Sequence, residues 1–152
     1  MLMRQKAAGS LLCLLVTIAS CGGPKTAVPG PVDDARLRNA DKDETNWLMY
    51  GRTYDDHRYS PLKSVNEQTI SNLGLAWARE LGTTRGLEAT PLVKDGVIYV
   101  SSVWSTVHAF DAITGKTLWT YDPKVPRDRA FYFCCDVVNR GVALYQGKVY
   151  VG

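Results

Sequence analysis

The sequence predicts an all-β chain that forms part of a β-propeller, with about one and a half blades present. Two observations carry this. The run Val93-Lys94-Asp95-Gly96-Val97-Ile98-Tyr99-Val100 recurs 51 residues later as Leu144-Tyr145-Gln146-Gly147-Lys148-Val149-Tyr150-Val151. Short strands joined by tight turns fill the interval, and self-similarity at this period with about four strands per unit marks a propeller, in which each blade covers the next one's apolar face. The chain stops at Gly152, inside the second unit. It is therefore expected to be the start of a longer ring, poorly stable without its remaining blades.

The 152 residues include 13 Gly, 7 Pro and 8 Tyr, which favours turns and strands over a helical bundle. Arg4 and Lys6 account for two of the three surplus positive charges, so the remainder carries +1. That near-neutral balance leaves no basic footprint for nucleic acid.

Residues 1–20 read as a lipoprotein signal peptide. Arg4 and Lys6 precede a short apolar run from Leu11 to Ala19, about half of the roughly 20 residues a membrane span requires. The ending Ile18-Ala19-Ser20-Cys21 resembles a bacterial lipobox, which implies cleavage before Cys21, lipidation of that residue and attachment to a bacterial membrane. An ordinary export signal cut nearby is the alternative. Gly22 is not an Asp, so nothing signals inner-membrane retention. Residues 21–43 are polar and aperiodic and read as a flexible tether, with order beginning near Thr45.

The ordered part, 44–152, opens with an aromatic-rich loop from Asn46 to Pro61 that covers the start of a core. Asn66 reads as the N-cap of a short helix ending before Gly74. Leu75 to Leu81 reads as a strand. Thr90 to Lys94 and Val97 to Ser101 flank Asp95-Gly96, a strong two-residue hairpin turn. Thr106 to Asp111 follows, and Thr114-Gly115 turns it into Lys116 to Tyr121.

Four cysteines occur. Cys13 leaves with the signal and Cys21 carries lipid, which leaves the neighbours Cys134 and Cys135 in an oxidising compartment. They can bond to each other, stay as reduced, buried thiols, or pair with a cysteine beyond this chain. His57 and His108 lie far apart without Cys or Asp at zinc spacing. No Cys-x-x-Cys-His haem site and no dinucleotide glycine fingerprint occur in this span.

The run Ala109-x-Asp111-x-x-Thr114-Gly115-Lys116-x-x-Trp119 resembles the tryptophan docking motif of quinoprotein propellers, where the Trp packs between blades. Cofactor-free propellers use it too, including a lipoprotein scaffold for outer-membrane β-barrel assembly. Three further segments sharpen the match: Asn46-Trp47-x-x-Tyr50-Gly51-Arg52 with Tyr59-Ser60-Pro61-Leu62, Gly86-Leu87-Glu88-Ala89-Thr90-Pro91, and Cys134-Cys135-Asp136-Val137-Val138-Asn139-Arg140-Gly141. Together they resemble the start of a pyrroloquinoline quinone (PQQ)-dependent alcohol dehydrogenase of the methanol/ethanol dehydrogenase family.

This resemblance implies an eight-bladed propeller in the periplasm that oxidises a small primary alcohol to an aldehyde. It implies PQQ, a calcium or lanthanide ion and a cytochrome c electron acceptor, with a haem c domain in some members. It also implies a Cys134–Cys135 disulfide lying against PQQ, and Glu88 and Arg140 at the cofactor's polar edge. The family's metal ligands and catalytic base lie in later blades, so no catalytic or metal-binding residue is named in this span. The 51-residue interval places Glu88 one residue short of Arg140's equivalent, so both stand just before the inner strands of successive blades. In the plainer alternative, Arg140 pairs with Asp136 and Glu88 is solvated. A non-enzymatic scaffold is the competing function; it accounts for the lipobox and Trp119 but not for the cysteine pair.

Overall fold

A computed structural model describes residues 30–152. The signal peptide, Cys13, Cys21 and the first part of the expected tether lie outside the described residues. Two antiparallel sheets make up the β structure. The first has four strands in sequence order: β1 (Leu92–Lys94), β2 (Val97–Ser101), β3 (Val107–Asp111) and β4 (Thr117–Tyr121). The second pairs β5 (Ala143–Tyr145) with β6 (Lys148–Tyr150). Among the described residues no helix is long and apolar enough to cross a membrane.

The sequence repeat is a structural repeat. In the β1–β2 hairpin Lys94 pairs with Val97, and Asp95 and Gly96 turn with φ of 49° and 79°. In the β5–β6 hairpin Tyr145 pairs with Lys148, and Gln146 and Gly147 turn with φ of 47° and 75°. Two successive left-handed residues make the turn whose twist matches that of paired strands. The hydrophobic residues flanking both turns meet in one core of Val32, Leu48, Leu92 and Leu144, with Trp47, Tyr99 and Val149 packed against it.

The β3–β4 turn is closed by Asp111, whose Oδ1 accepts from the Thr114 N–H at 2.7 Å, the Thr114 hydroxyl at 2.7 Å and the Ile113 N–H at 3.1 Å. Gly115 follows at φ 66°, and a Cβ there would stand 2.5 Å from the Trp77 ring. Trp119 leaves β4 to meet Tyr99 across the sheet, with ring centroids 6.0 Å apart.

Three expectations are corrected. Residues 30–43 are not a flexible tether. Asp33 caps a five-residue helix, α1 (Asp34–Arg38), by accepting the Arg36 N–H at 2.8 Å, and a 3₁₀ turn follows over Ala40–Lys42. A helix this short does not persist on its own propensity. Contacts with both hairpin turns hold it: Arg36 Nη2 lies 2.5 Å from Asp95 Oδ1, the Gln146 N–H donates to Val32 O at 2.7 Å, and the Tyr145 hydroxyl donates to Asp34 at 2.9 Å. Val32, only 1% exposed, is the apolar anchor of the segment.

The helix expected after Asn66 is a single 3₁₀ turn over Ile70–Asn72. Its N-cap is Thr69, not Asn66; Asn66 closes the turn before it, accepting the Gln68 and Thr69 N–H groups at 3.0 and 3.2 Å while its own N–H donates to Thr69 Oγ1 at 3.0 Å. Ile70 and Leu73 are 53% and 60% exposed, so no buried apolar face prolongs the turn. Leu75 to Leu81 pairs with no strand among the described residues. It runs past the β3–β4 turn through side chains instead, with Trp77 Nε1 donating to Ala112 O at 3.1 Å and Arg79 Nε to Gly115 O at 2.6 Å.

The aromatic-rich loop is ordered as expected. Trp47 and Val93 exchange two backbone hydrogen bonds of 2.9 Å, which extends the sheet beyond β1 by one bridge. Asn46 accepts the Asp95 N–H at 2.6 Å, and buried Arg52 donates to Asp43 O and Ala40 O at 3.0 and 3.2 Å.

Candidate functional site

Two loops that lead into equivalent strands meet side by side. One runs from Gly82 to Pro91 and enters β1. The other runs from Phe133 to Val142 and enters β5. Because the hairpins they feed are repeats of one unit, corresponding positions in the loops face each other. All four residues expected at the site, Glu88, Cys134, Cys135 and Arg140, lie on this pair of loops.

The structure brings Glu88 and Arg140 together, with Arg140 Nε 3.2 Å from Glu88 Oε2. Asp136 pairs with Arg85, not with Arg140. The plainer expectation, an Arg140–Asp136 pair beside a solvated Glu88, therefore does not hold. The Arg140 side chain remains 70% exposed. Arg140 lines a cavity of about 350 Å³ together with Tyr50, Thr90, Leu92, Asn139 and Gly141.

Cys134 and Cys135 are exposed free thiols with their sulfur atoms 2.7 Å apart. The thiol of Cys135 is pushed up, first by its hydrogen bond to Cys134 and then by the charge of that neighbour; Glu88 adds to the shift and Arg140 opposes it.

The second loop is anchored from behind. Val137 is buried, and its carbonyl accepts the Trp104 N–H at 2.8 Å. The Asn139 side chain donates to Ser105 Oγ at 3.2 Å and accepts the Gly141 N–H at 3.0 Å. Trp104 and Ser105 both have positive φ, 61° and 53°, in the 3₁₀ turn Val103–Ser105 between β2 and β3. A left-handed conformation costs a side-chain-bearing residue about 1–2 kcal/mol. It persists here because the Val137 contact and Arg127, whose guanidinium sits 4.4 Å from the centre of the Trp104 ring, hold the turn.

Arg85, Asp136, Trp104 and Ser105 were not expected at the site. The repeat interval does align Arg85 with Asp136, so the ion pair had a signal. Nothing in Val103-Trp104-Ser105-Thr106 announces a left-handed turn, since it contains no Gly, Asn or Asp. Outside the loops, His108 is pushed down by burial, its Nδ1 lies 3.3 Å from Thr120 Oγ1, and its ring stacks on Phe110. Among the described residues no three His, Cys, Asp or Glu side chains gather as a metal would require.

Comparison with known proteins gives consistent results. The profile of the family described as "PQQ: Glucose/ethanol/alcohol dehydrogenase, beta-propeller domain" matches residues 47–150. The chain is 49% identical over 156 residues to quinohemoprotein alcohol dehydrogenase ADH-IIG of Pseudomonas putida, which covers 99% of this chain and 22% of that protein. It is 55% identical over 108 residues to 1-butanol dehydrogenase (cytochrome c) of Thauera butanivorans, covering 70% of this chain and 15% of that one. The solved structure of ADHIIG from Pseudomonas putida HK5 superposes with a TM-score of 0.78 at 53% identity, over 83% of this chain and 18% of that one. The chain thus spans about a fifth of the length of these relatives.

Proposed function

Because the chain belongs to the PQQ-dependent glucose/ethanol/alcohol dehydrogenase β-propeller family, we propose that it supplies part of the cofactor cradle of a quinoprotein alcohol dehydrogenase. The observation that carries this reading is the convergence of Glu88, Arg140, Cys134 and Cys135 on two adjoining blade loops.

The residues present fit the group. PQQ is a flat tricarboxylate. Arg140, whose side chain is largely exposed, carries a guanidinium fork, the donor geometry that a carboxylate matches in two parallel hydrogen bonds. Two adjacent exposed sulfurs 2.7 Å apart offer a firm, polarisable surface for one face of a ring system. When bound, PQQ supplies a quinone that accepts hydride from a primary alcohol, giving the aldehyde. In this chain Arg140 binds and orients a cofactor carboxylate. Glu88, 3.2 Å from that guanidinium, holds it beside the loop junction until the cofactor carboxylate takes its place. Cys134 and Cys135, oxidised to each other in an exported protein, cover a ring face and exclude water there.

The remaining parts of the reading follow from the same resemblance. A calcium or lanthanide ion and a carboxylate base would be held by residues outside this span. The substrate is a small primary alcohol. The acceptor is a cytochrome c, in keeping with the printed name of the Thauera butanivorans relative. The protein is periplasmic and anchored through a lipid on Cys21. A scaffold without cofactor accounts for the Asp111–Trp119 turn but gives no purpose to the exposed sulfur pair beside Arg140.

The test is replacement of both Cys134 and Cys135 by Ala in the complete protein. PQQ retention and alcohol-dependent dye reduction should fall while the far-ultraviolet circular dichroism stays as in the parent, since neither residue belongs to a strand. Full PQQ content and activity in that variant would refute the reading.

A further inference from the structure

Arg85 and Asp136 are 51 residues apart, the interval that separates Gly96 from Gly147. They occupy equivalent positions of two successive units, and they form an ion pair across the loop junction. Glu88 and Arg140 form a second pair across the same junction with the charges reversed. The first loop contributes a cation and then an anion, and the second an anion and then a cation. The two loops are therefore tied twice, at residues 85 and 88 of the first and 136 and 140 of the second.

The two ties differ in what they hold. Asp136 follows Cys135 directly and has a left-handed φ of 68°. Holding its carboxylate thus restrains the backbone next to the cysteine pair. Arg140 instead is the residue the cofactor reading assigns to a PQQ carboxylate, and its guanidinium then turns partly from Glu88 to that group. One tie weakens on loading, and the junction then depends on the other.

We propose that the Arg85–Asp136 ion pair is a clamp that positions the Cys134–Cys135 pair for PQQ and keeps the two blade loops joined when Arg140 exchanges Glu88 for the cofactor. Arg85 and Asp136 are positioning residues in this account, which rests on the cofactor reading above. Both side chains are about half exposed, so the pair biases the loop geometry by about two- to fivefold in an equilibrium.

Hydrogen exchange followed by mass spectrometry on the complete protein prepared without PQQ tests the clamp directly. Arg85→Ala and Asp136→Ala should each speed exchange about two- to fivefold in residues 83–90 and 133–141 and leave β2 and β3 unchanged. The charge swap, Arg85→Asp with Asp136→Arg, should restore parental exchange. On reconstitution the PQQ dissociation constant should rise by a similar factor in each single variant and return in the swap. Parental exchange in both single variants, acceleration spread equally over β2 and β3, or a swap as fast as the single variants would each overturn the proposal. If the parent itself takes up no PQQ, the cofactor reading fails, while exchange in the PQQ-free protein still decides whether the clamp exists.

Discussion

Arg140→Ala separates cofactor binding from folding. Arg140 and Glu88 are 70% and 45% exposed and meet through a single contact of 3.2 Å. An ion pair so placed contributes about 0–1 kcal/mol to stability. Its loss should therefore shift the melting temperature little. A guanidinium that grips a cofactor carboxylate is a different matter, since a hydrogen bond to a charged group contributes about 1.5–3 kcal/mol. That range corresponds to a rise in the PQQ dissociation constant of about 10- to 150-fold. Arg140→Lys keeps the charge but loses the planar fork, and should fall between parent and Ala variant. The assay is equilibrium dialysis of PQQ against the complete protein made in a PQQ-free host, with a thermal melt of the same sample. PQQ binding in Arg140→Ala within twofold of the parent would refute the assignment of Arg140. A large fall in melting temperature would instead show that the Glu88–Arg140 contact is a support of the fold.

Three other outcomes are expected. Gly115→Ala forces a left-handed residue with a Cβ 2.5 Å from the Trp77 ring and disturbs the 3.1 Å bond from Trp77 Nε1 to Ala112; it should destabilise the first blade by about 2–3 kcal/mol, read as faster hydrogen exchange in β3 and β4. After reduction, the Cys135 thiol titrates above the ordinary thiol range because of its hydrogen bond to Cys134. Below its pKa it is protonated and unreactive, so iodoacetamide at about pH 8 should label it more slowly than an ordinary exposed cysteine, and Cys134→Ala should speed the labelling. Mass spectrometry of the mature N-terminus should find acylglyceryl Cys21, and a free N-terminus at a later residue would exclude the lipid anchor.

How far the sequence was legible followed from how local the determinants are. β2 was read residue for residue, because Val97 to Ser101 is β-branched and aromatic and Asp95-Gly96 admits one kind of hairpin turn. Residues 30–43 were misread because a five-residue helix has no periodicity to detect. Its order comes from Asp95, Gln146 and Tyr145, which are distant in sequence. Leu75 to Leu81 contains no β-branched residue and has no neighbouring strand among the described residues, and Trp77 and Arg79 bond to a turn instead. At the site, the repeat interval was enough to bring Glu88 to Arg140. The Arg85–Asp136 tie followed the same interval but joined two exposed charges of a kind found all over protein surfaces. The left-handed Trp104 had no sequence signal at all, since its conformation is imposed by the loop that donates Val137.

A crystal structure of the complete protein with PQQ would show directly whether the two loops form one side of its cradle. The cofactor ring plane should lie against the Cys134 and Cys135 sulfurs, with the Arg140 guanidinium within about 3.2 Å of a PQQ carboxylate oxygen and Arg85 still paired with Asp136. PQQ bound away from these loops, with the Glu88–Arg140 contact undisturbed, would contradict the cradle reading.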